Sequence, residues 1–104
     1  MSFEPIAIVG RACVLPGATS PSALWRAVAA GQDLISSAPA SRWRLGAERV
    51  ISAQGGIDRA LTDRGGYVRE EIQAPEAVGL DPLVSWLFTV ARGALAEAKA
   101  SDLA

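Results

Sequence analysis

The fold of this chain is decided near its start, where residues 4–17 read EPIAIVGRACVLPG. Within this stretch, residues 6–9 form a short run that is entirely apolar and partly β-branched. A run without polar alternation is typical of a strand buried on both faces, as in parallel or mixed α/β sheets. Gly10 follows where such a strand would leave its sheet, and Pro16-Gly17 predicts a turn. Ligand chemistry in open α/β sheets gathers at the carboxyl ends of strands, so residues 10–17 are the first candidate site.

A first helix is predicted over residues 21–30. Ser20 is a suitable N-cap, proline at position 21 suits the first helical position, and Gly31 suits a left-handed C-cap. Leu24 and Val28 fall on one face of this helix. A helix this short is not stable alone in water, so we expect that face to dock on the sheet containing residues 6–9.

A second, longer helix is predicted from Pro82 to about Lys99, with Asp81 as its N-cap. Apolar residues cover much of its circumference in two stripes, which are Leu83, Leu87, Val90 and Ala94, and Val84, Phe88, Ala91 and Leu95. A helix of this kind is typically buried by several neighbours. We therefore expect little of its surface to face solvent.

The segment between the helices, residues 31–65, is predicted to be long and irregular. Residues 47–53 fit either a helical turn or a brief strand, and residues 65–68 fit a second short strand or a bulge. One clear strand and one doubtful strand seldom make an independent sheet. Unpaired backbone groups cost about 1–3 kcal/mol each when buried. The pattern therefore indicates an α/β fold that is incomplete on its own.

Composition limits the classes of function. The chain has 104 residues, half of them apolar, with a net charge of −1, one cysteine and no histidine. Such a length favours at most one small domain, and the scattered basic residues do not indicate a nucleic-acid surface. No apolar run approaches the length of a membrane span, and the first residues lack a signal-peptide pattern. We expect a cytoplasmic protein.

Several short motifs, in order, resemble the opening of β-ketoacyl synthase (ketosynthase) domains of type I modular polyketide synthases and related polyunsaturated-fatty-acid synthases. The motifs are residues 4–10, Ala12-Cys13, residues 15–17, Ser20-Pro21, Leu24-Trp25, Gly31 with Asp33 and Ile35, Pro39 with Arg42-Trp43, residues 65–68, Leu80-Asp81-Pro82, Ala91, Ala94-Leu95 and Glu97-Ala98. The sequence departs from the family's pattern at three places: Arg11 replaces a common methionine, Val14 stands where arginine is frequent, and residues 69–79 lack the usual Phe-rich stretch.

The resemblance implies a thiolase-like fold and an acyltransferase that performs decarboxylative Claisen condensation. In that chemistry, a malonyl unit on the phosphopantetheine of acyl carrier protein attacks an acyl group on an active-site cysteine. That cysteine and two histidines come later in the family's sequences and have no counterpart in this one. Residues 1–104 are thus expected to be the N-terminal portion of a ketosynthase domain, without catalytic, cofactor-binding or metal residues of its own. The expected partners are the remainder of that domain, acyl carrier protein and a second copy of the parent.

Two candidate catalytic features are interpreted as structural. Cys13 is the only thiol, but a nucleophilic cysteine needs a base, and the chain has no histidine. A small buried apolar role is favoured for Cys13. Residues 10–17 lack both phosphate-loop spacings, so a turn is favoured there.

The polar and aromatic candidates are weighed in the same way. A solvated loop face is favoured for the carboxylates, which are Asp58, Asp63, Glu70 and Glu71. Arg42-Trp43-Arg44 could contact a carrier protein or its phosphate, but a packed tryptophan between surface charges is favoured. Trp25 and Trp86 are expected in the core or an interface.

Two other functions stay open at this point. The first is a non-enzymatic helical adaptor or docking module that presents residues 82–99 to a partner. The second is a small enzyme that uses Cys13, which lacks a base. Because the apolar helix and strand have no partners within the chain, we also expect the isolated polypeptide to associate.

Overall fold

A computed structural model describes residues 2–99 of the chain. Its regular elements follow one another as α1 (Pro21–Ala29), β1 (Ser36–Ser37), a 3₁₀ turn (Ala40–Arg42), α2 (Ala47–Val50), β2 (Arg64–Gly65), a second 3₁₀ turn (Pro75–Ala77) and α3 (Pro82–Glu97).

A tight turn precedes α1, as the Pro-Gly pair predicts. The Leu15 N–H donates to the Ala18 carbonyl at 2.9 Å, and the Ala18 N–H donates back to the Leu15 carbonyl at 3.0 Å. Gly17 has φ +68°, a conformation that glycine adopts without steric cost. Ala18 is only 1% exposed. Ala18 is therefore one of the few buried residues among those described, although Leu15 and Gly17 of the same turn are exposed.

Helix α1 has the predicted caps but buries a different residue. The Ser20 hydroxyl accepts from the Ala23 N–H at 3.1 Å, and Gly31 follows the helix with φ +64°. Ala27 is the buried residue of α1, whereas Val28 is 61% exposed. The expected docking of the Leu24 and Val28 face on a sheet is thus wrong for the described chain, because that sheet is not formed.

The middle of the chain holds two minimal pairings. Strands β1 and β2 are antiparallel, with Ser36 opposite Gly65 and Ser37 opposite Arg64. In the ambiguous stretch 47–53, the structure forms the helical turn, since α2 spans Ala47–Val50, and the brief strand is reduced to a single parallel bridge between Ile51 and Ala60.

Helix α3 begins where the sequence predicts and ends slightly earlier. The Asp81 carboxylate accepts from the Leu83 N–H at 2.8 Å, and the helix ends at Glu97 rather than near Lys99. The 3₁₀ turn Pro75–Ala77 packs against α3, where Ala74, Ala77 and Ser85 are buried. The expected burial of α3 by several neighbours is not found, since Leu87 is 61% exposed within the described chain.

The predicted strand over residues 6–9 is the clearest difference between expectation and structure. Ile6, Ile8 and Val9 are 92%, 84% and 70% exposed, and no strand is formed there. A strand needs a neighbour to pair its backbone donors and acceptors, and the described residues place none beside it. The sequence signal is that of a buried strand, but the burial is not supplied by this chain.

The radius of gyration and the accessible surface of the chain also show that few residues are buried. Its Cα radius of gyration is 18.5 Å, whereas a compact domain of about 100 residues has about 13 Å. Its accessible surface is 8422 Å², and a folded monomer of 10.8 kDa is expected to expose roughly 5,500 Å². Among the described residues, no large side chain is fully buried. The buried positions are mostly alanines, which supply little hydrophobic stabilisation.

Candidate functional site

The C-terminal half of α3 is crossed closely by the segment that follows residues 6–9. A Cβ atom at Gly10 would lie 2.1 Å from the carbonyl oxygen of Ala94, so only glycine fits this crossing. At the residue before Ala94, a Cβ on Gly93 would lie 3.0 Å from the Cβ of Ala12. Small residues on both elements therefore allow backbone to approach backbone, and this contact sets where the apolar N-terminal run leaves α3.

An ion pair lies beside this crossing. The Arg11 guanidinium donates to the Glu97 carboxylate at 2.8 Å, and the backbone N–H of Arg11 donates to the same carboxylate. These hydrogen bonds from Arg11 lower the pKa of Glu97, and hydrogen bonding and charge attraction from Glu97 raise the pKa of Arg11. Both side chains face solvent, so salt screens the attraction.

The opposite half of the helix presents an apolar groove. The groove has a volume of about 270 Å³ and is lined by Val84, Leu87, Phe88 and Ala91. Leu83, at the start of the helix, is 54% exposed. Contiguous apolar side chains that are exposed in this way are typical of surfaces that another part of a protein covers. Residues 6–9 and the groove are two apolar features that the described chain leaves uncovered.

A wider and more polar cleft separates α3 from the segment before it. This cleft has a volume of about 620 Å³, and Arg42, Arg69, Glu71, Ser85 and Trp86 are among its lining residues. The two arginines are engaged by the chain itself: Arg42 donates to the Val68 carbonyl, and Arg69 donates to the Ser37 carbonyl. No sequence pattern predicted this cleft, which lies at residues 69–79, where the family's Phe-rich stretch is missing.

The candidate nucleophile and the candidate phosphate loop lie where the chain crosses α3 and then turns. Cys13 is a free, half-buried thiol, and the sequence contains no histidine that could activate it. Gly10 does not form part of an open cradle, because the carbonyl of Ala94 occupies the space beside it. Residues 10–17 therefore serve as a packed crossing followed by a turn, in agreement with the structural interpretation.

The four candidate carboxylates have different local surroundings. The Glu71 carboxylate accepts from the Gln73 amide at 2.7 Å, and that of Glu70 accepts from the Arg69 N–H at 3.1 Å. Asp58 lies in a loop with φ +56°, and Asp63 contributes its backbone carbonyl, which accepts from the Tyr67 hydroxyl. Within residues 2–99, no group of three or more acidic, cysteine or histidine side chains is placed to hold a metal ion.

Some of the basic and aromatic candidates pack against other residues of the chain, and others are exposed. Arg42 lies with its guanidinium carbon 5.9 Å from the ring centre of Tyr67, and Trp43 beside it is half-buried, so the structural interpretation fits both. Trp86 is half-buried at the cleft. Trp25 is 70% exposed, so its expected place in the core is wrong for this chain, and its place in an interface stays a prediction.

No helix among the described residues has both the length and the apolarity needed to cross a membrane. The cytoplasmic location remains an expectation from the sequence.

Residues 3–103 match a family model described as "Beta-ketoacyl synthase, N-terminal domain". Curated relatives are polyketide synthases. The chain is 36% identical over 108 residues to the spectinabilin polyketide synthase system protein NorC of Streptomyces orinoci, covering 94% of this chain and 5% of that protein. It is 36% identical over 85 residues to the highly reducing polyketide synthase PKS6 of Gibberella zeae, covering 79% of this chain and 3% of that protein.

The backbone also resembles that of a solved structure. The chain superposes on a "PfaC Keto synthase-Chain length factor" with a TM-score of 0.80 at 27% identity, covering 88% of this chain and 11% of the other. The arrangement of this chain is therefore that of a ketosynthase, and the resemblance predicted from the sequence is confirmed. The chain spans about a tenth or less of the length of these three relatives.

Proposed function

The chain belongs to the β-ketoacyl synthase family, and we propose that it supplies the N-terminal structural part of such an enzyme. The complete enzyme performs decarboxylative Claisen condensation of acyl and malonyl thioesters in polyketide or fatty-acid biosynthesis. It receives its substrates on the phosphopantetheine of acyl carrier protein, and it works as a homo-oligomer in the cytoplasm. The role of this chain is scaffolding, and the reacting groups are contributed by the rest of the domain.

The single observation that carries the proposal is the large accessible surface, with exposed apolar segments, on a ketosynthase-like backbone. The accessible surface exceeds that of a compact protein of this mass by roughly 2,900 Å². Permanent interfaces bury about 2,000–5,000 Å² in total. The excess surface includes residues 6–9 and the α3 groove, which are the features with the sequence pattern of a protein interior.

The chemistry of the residues supports a scaffolding role. Condensation through a cysteine thioester requires a thiolate and groups that stabilise the attacking enolate. The sequence contains Cys13 as its only thiol and no histidine. We therefore infer that the chain by itself condenses no acyl groups.

The test is a chimera. Residues 3–99 replace the matching N-terminal residues of the ketosynthase–chain length factor on which the chain superposes. Carbon–carbon bond formation is then measured with an acyl thioester and malonyl-loaded carrier protein as the two substrates. We expect a soluble chimera that retains condensation, whereas the 104-residue chain alone is inactive. A matched chimera with Ile8→Asp is expected to be insoluble or inactive, because it buries a charge in place of an apolar side chain.

The result that contradicts the proposal is condensation by the isolated chain. A chimera that folds equally well with and without Ile8→Asp also contradicts it, since residues 6–9 would then not be interior.

The adaptor function has one observation in its favour, the α3 groove lined by Leu87 and Phe88. A free-standing adaptor is monomeric and well folded without partners. Sedimentation of the chain alone separates the two functions: a monodisperse monomer at high concentration favours the adaptor, and association favours the scaffold.

A further inference from the structure

Arg11 contacts Glu97 twice, and the two contacts differ in kind. The guanidinium of Arg11 and its backbone N–H both donate to the carboxylate of Glu97. An ion pair between flexible side chains fixes little, but a hydrogen bond from the main chain ties the carboxylate to the path of the backbone. One side chain on α3 thereby holds both the backbone and the side chain of Arg11.

We propose that Arg11 and Glu97 form a clamp that fixes the position and direction in which residues 2–9 leave helix α3. The close contact between Gly10 and Ala94 sets the distance between the two elements, and the clamp prevents the segment from sliding or rotating on the helix. The adjacent residues 2–9 are all exposed, so their direction depends on this crossing. The clamp itself is independent of the proposed function, and only its purpose, presenting residues 6–9 to a sheet, rests on that function.

Two details distinguish this pair from the other ion pairs of the chain. Glu76 and Arg92 also pair at α3, but that contact joins two side chains only. The Asp33–Arg64 pair is longer, at 3.4 Å, and likewise joins side chains. The Asp33 carboxylate does accept a backbone N–H, but that N–H belongs to Ile35, two residues further along the chain. Among the described ion pairs, the Arg11–Glu97 pair is the one in which the carboxylate accepts the backbone N–H of its own ion-pair partner, so it ties together two segments that lie 86 residues apart.

The direct readout is the hydrogen exchange of the Arg11 amide in the 104-residue chain at low concentration and neutral pH. In Glu97→Ala the acceptor is removed while helix propensity rises, so we expect exchange of that amide to accelerate about tenfold. In Arg11→Met the backbone contact remains and only the guanidinium is lost, so we expect about a two- to threefold acceleration. Neither variant is expected to lower the helicity of α3 measured by circular dichroism.

The matched control is Glu76→Ala, which removes the carboxylate of the Glu76–Arg92 pair. We expect the Arg11 amide to exchange in this variant as it does in the unmodified chain. The double variant Arg11→Glu, Glu97→Arg restores the attraction between side chains but not the backbone contact, and we expect it to exchange as fast as Glu97→Ala.

The clamp is overturned if the Arg11 amide of the unmodified chain exchanges at the rate of an unstructured peptide. It is also overturned if Glu97→Ala and Glu76→Ala give the same exchange. Because the measurement uses this chain alone, neither result depends on whether a chimera with a ketosynthase is active.

Discussion

Substitution of Gly10 by alanine is expected to separate the N-terminal segment from helix α3. The new Cβ would lie 2.1 Å from the carbonyl oxygen of Ala94 and 3.0 Å from the Cβ of Ala98. The carbonyl oxygen belongs to the helix backbone and is held in the helix, so it cannot rotate away as the end of a side chain can. The segment carrying Gly10 has to move instead.

The size of the movement follows from the distances. A carbon and a carbonyl oxygen do not approach much closer than about 3 Å, so the crossing has to open by about 1 Å. An opening of that size lengthens the 2.8 Å contact between Arg11 and Glu97 beyond hydrogen-bonding distance. Overpacking of this kind typically costs about 1–3 kcal/mol, which corresponds to an increase of about 5- to 150-fold in the equilibrium constant for detachment.

The assay is amide hydrogen exchange of residues 10–13, followed by mass spectrometry on the 104-residue chain. The matched control is Gly46→Ala. A Cβ at Gly46 would lie 2.0 Å from the Glu48 carboxylate oxygen, but that atom is the end of an exposed, flexible side chain and can rotate away. Gly46 has φ −58°, which alanine also adopts. We expect Gly10→Ala to accelerate exchange of residues 10–13 and Gly46→Ala to leave it unchanged.

Equal exchange in the two variants would refute this reasoning. It would mean that Gly10 does not touch α3 in solution.

Three further predictions concern the clamp, the N-cap of α3 and the turn at Gly17. Arg11 lowers the pKa of Glu97 in the folded chain, so the contact stabilises the crossing fully at pH values above the ordinary carboxyl pKa. This stabilisation is lost as the pH falls through the lowered pKa, and the exchange protection of the Arg11 amide measured against pH tests this. Asp81→Ala removes the acceptor of the Leu83 N–H and is expected to destabilise α3 by about 1 kcal/mol. Circular dichroism should show lower helicity in this variant and unchanged helicity in the control Asp58→Ala. Gly17→Ala places a side chain at φ +68° and is expected to cost about 1–2 kcal/mol, measured by the loss of exchange protection at the turn.

The helix starts were predictable because their signals are local. Serine or aspartate followed by proline satisfies the first helical donors without help from the rest of the chain, and both Ser20 and Asp81 cap as expected. The turn at Pro16-Gly17 was predictable for the same reason, since a positive φ there depends on the residues themselves.

Residues 6–9 do not form the predicted strand because a strand depends on neighbouring strands and not on its own residues alone. An apolar run such as residues 6–9 reflects the burial that a complete domain supplies, and it carries no information on where the neighbouring strands are encoded. The exposure of Trp25 and Leu87 has the same origin. In each case the sequence pattern is typical of a buried residue, but the described residues do not bury it.

The crossing at Gly10 was hidden for a different reason. A glycine after a strand fits a turn as well as a close packing contact, and spacing alone does not separate the two. The partner of Arg11 lies 86 residues away in the sequence, so the Arg11–Glu97 pair could not be found without the fold. The expectation that this chain holds no catalytic residue set comes from composition, because a chain without histidine lacks the most common general base, and it stays a prediction.

The most direct test of the central claim compares the backbone of residues 6–9 in two settings. Amide hydrogen exchange of these residues is measured in the 104-residue chain and in the chimera with the ketosynthase–chain length factor. If the run is an interior strand of a larger domain, its amides exchange without protection in the chain alone and about a hundredfold or more slowly in the chimera. Equally fast exchange in both settings would contradict the account.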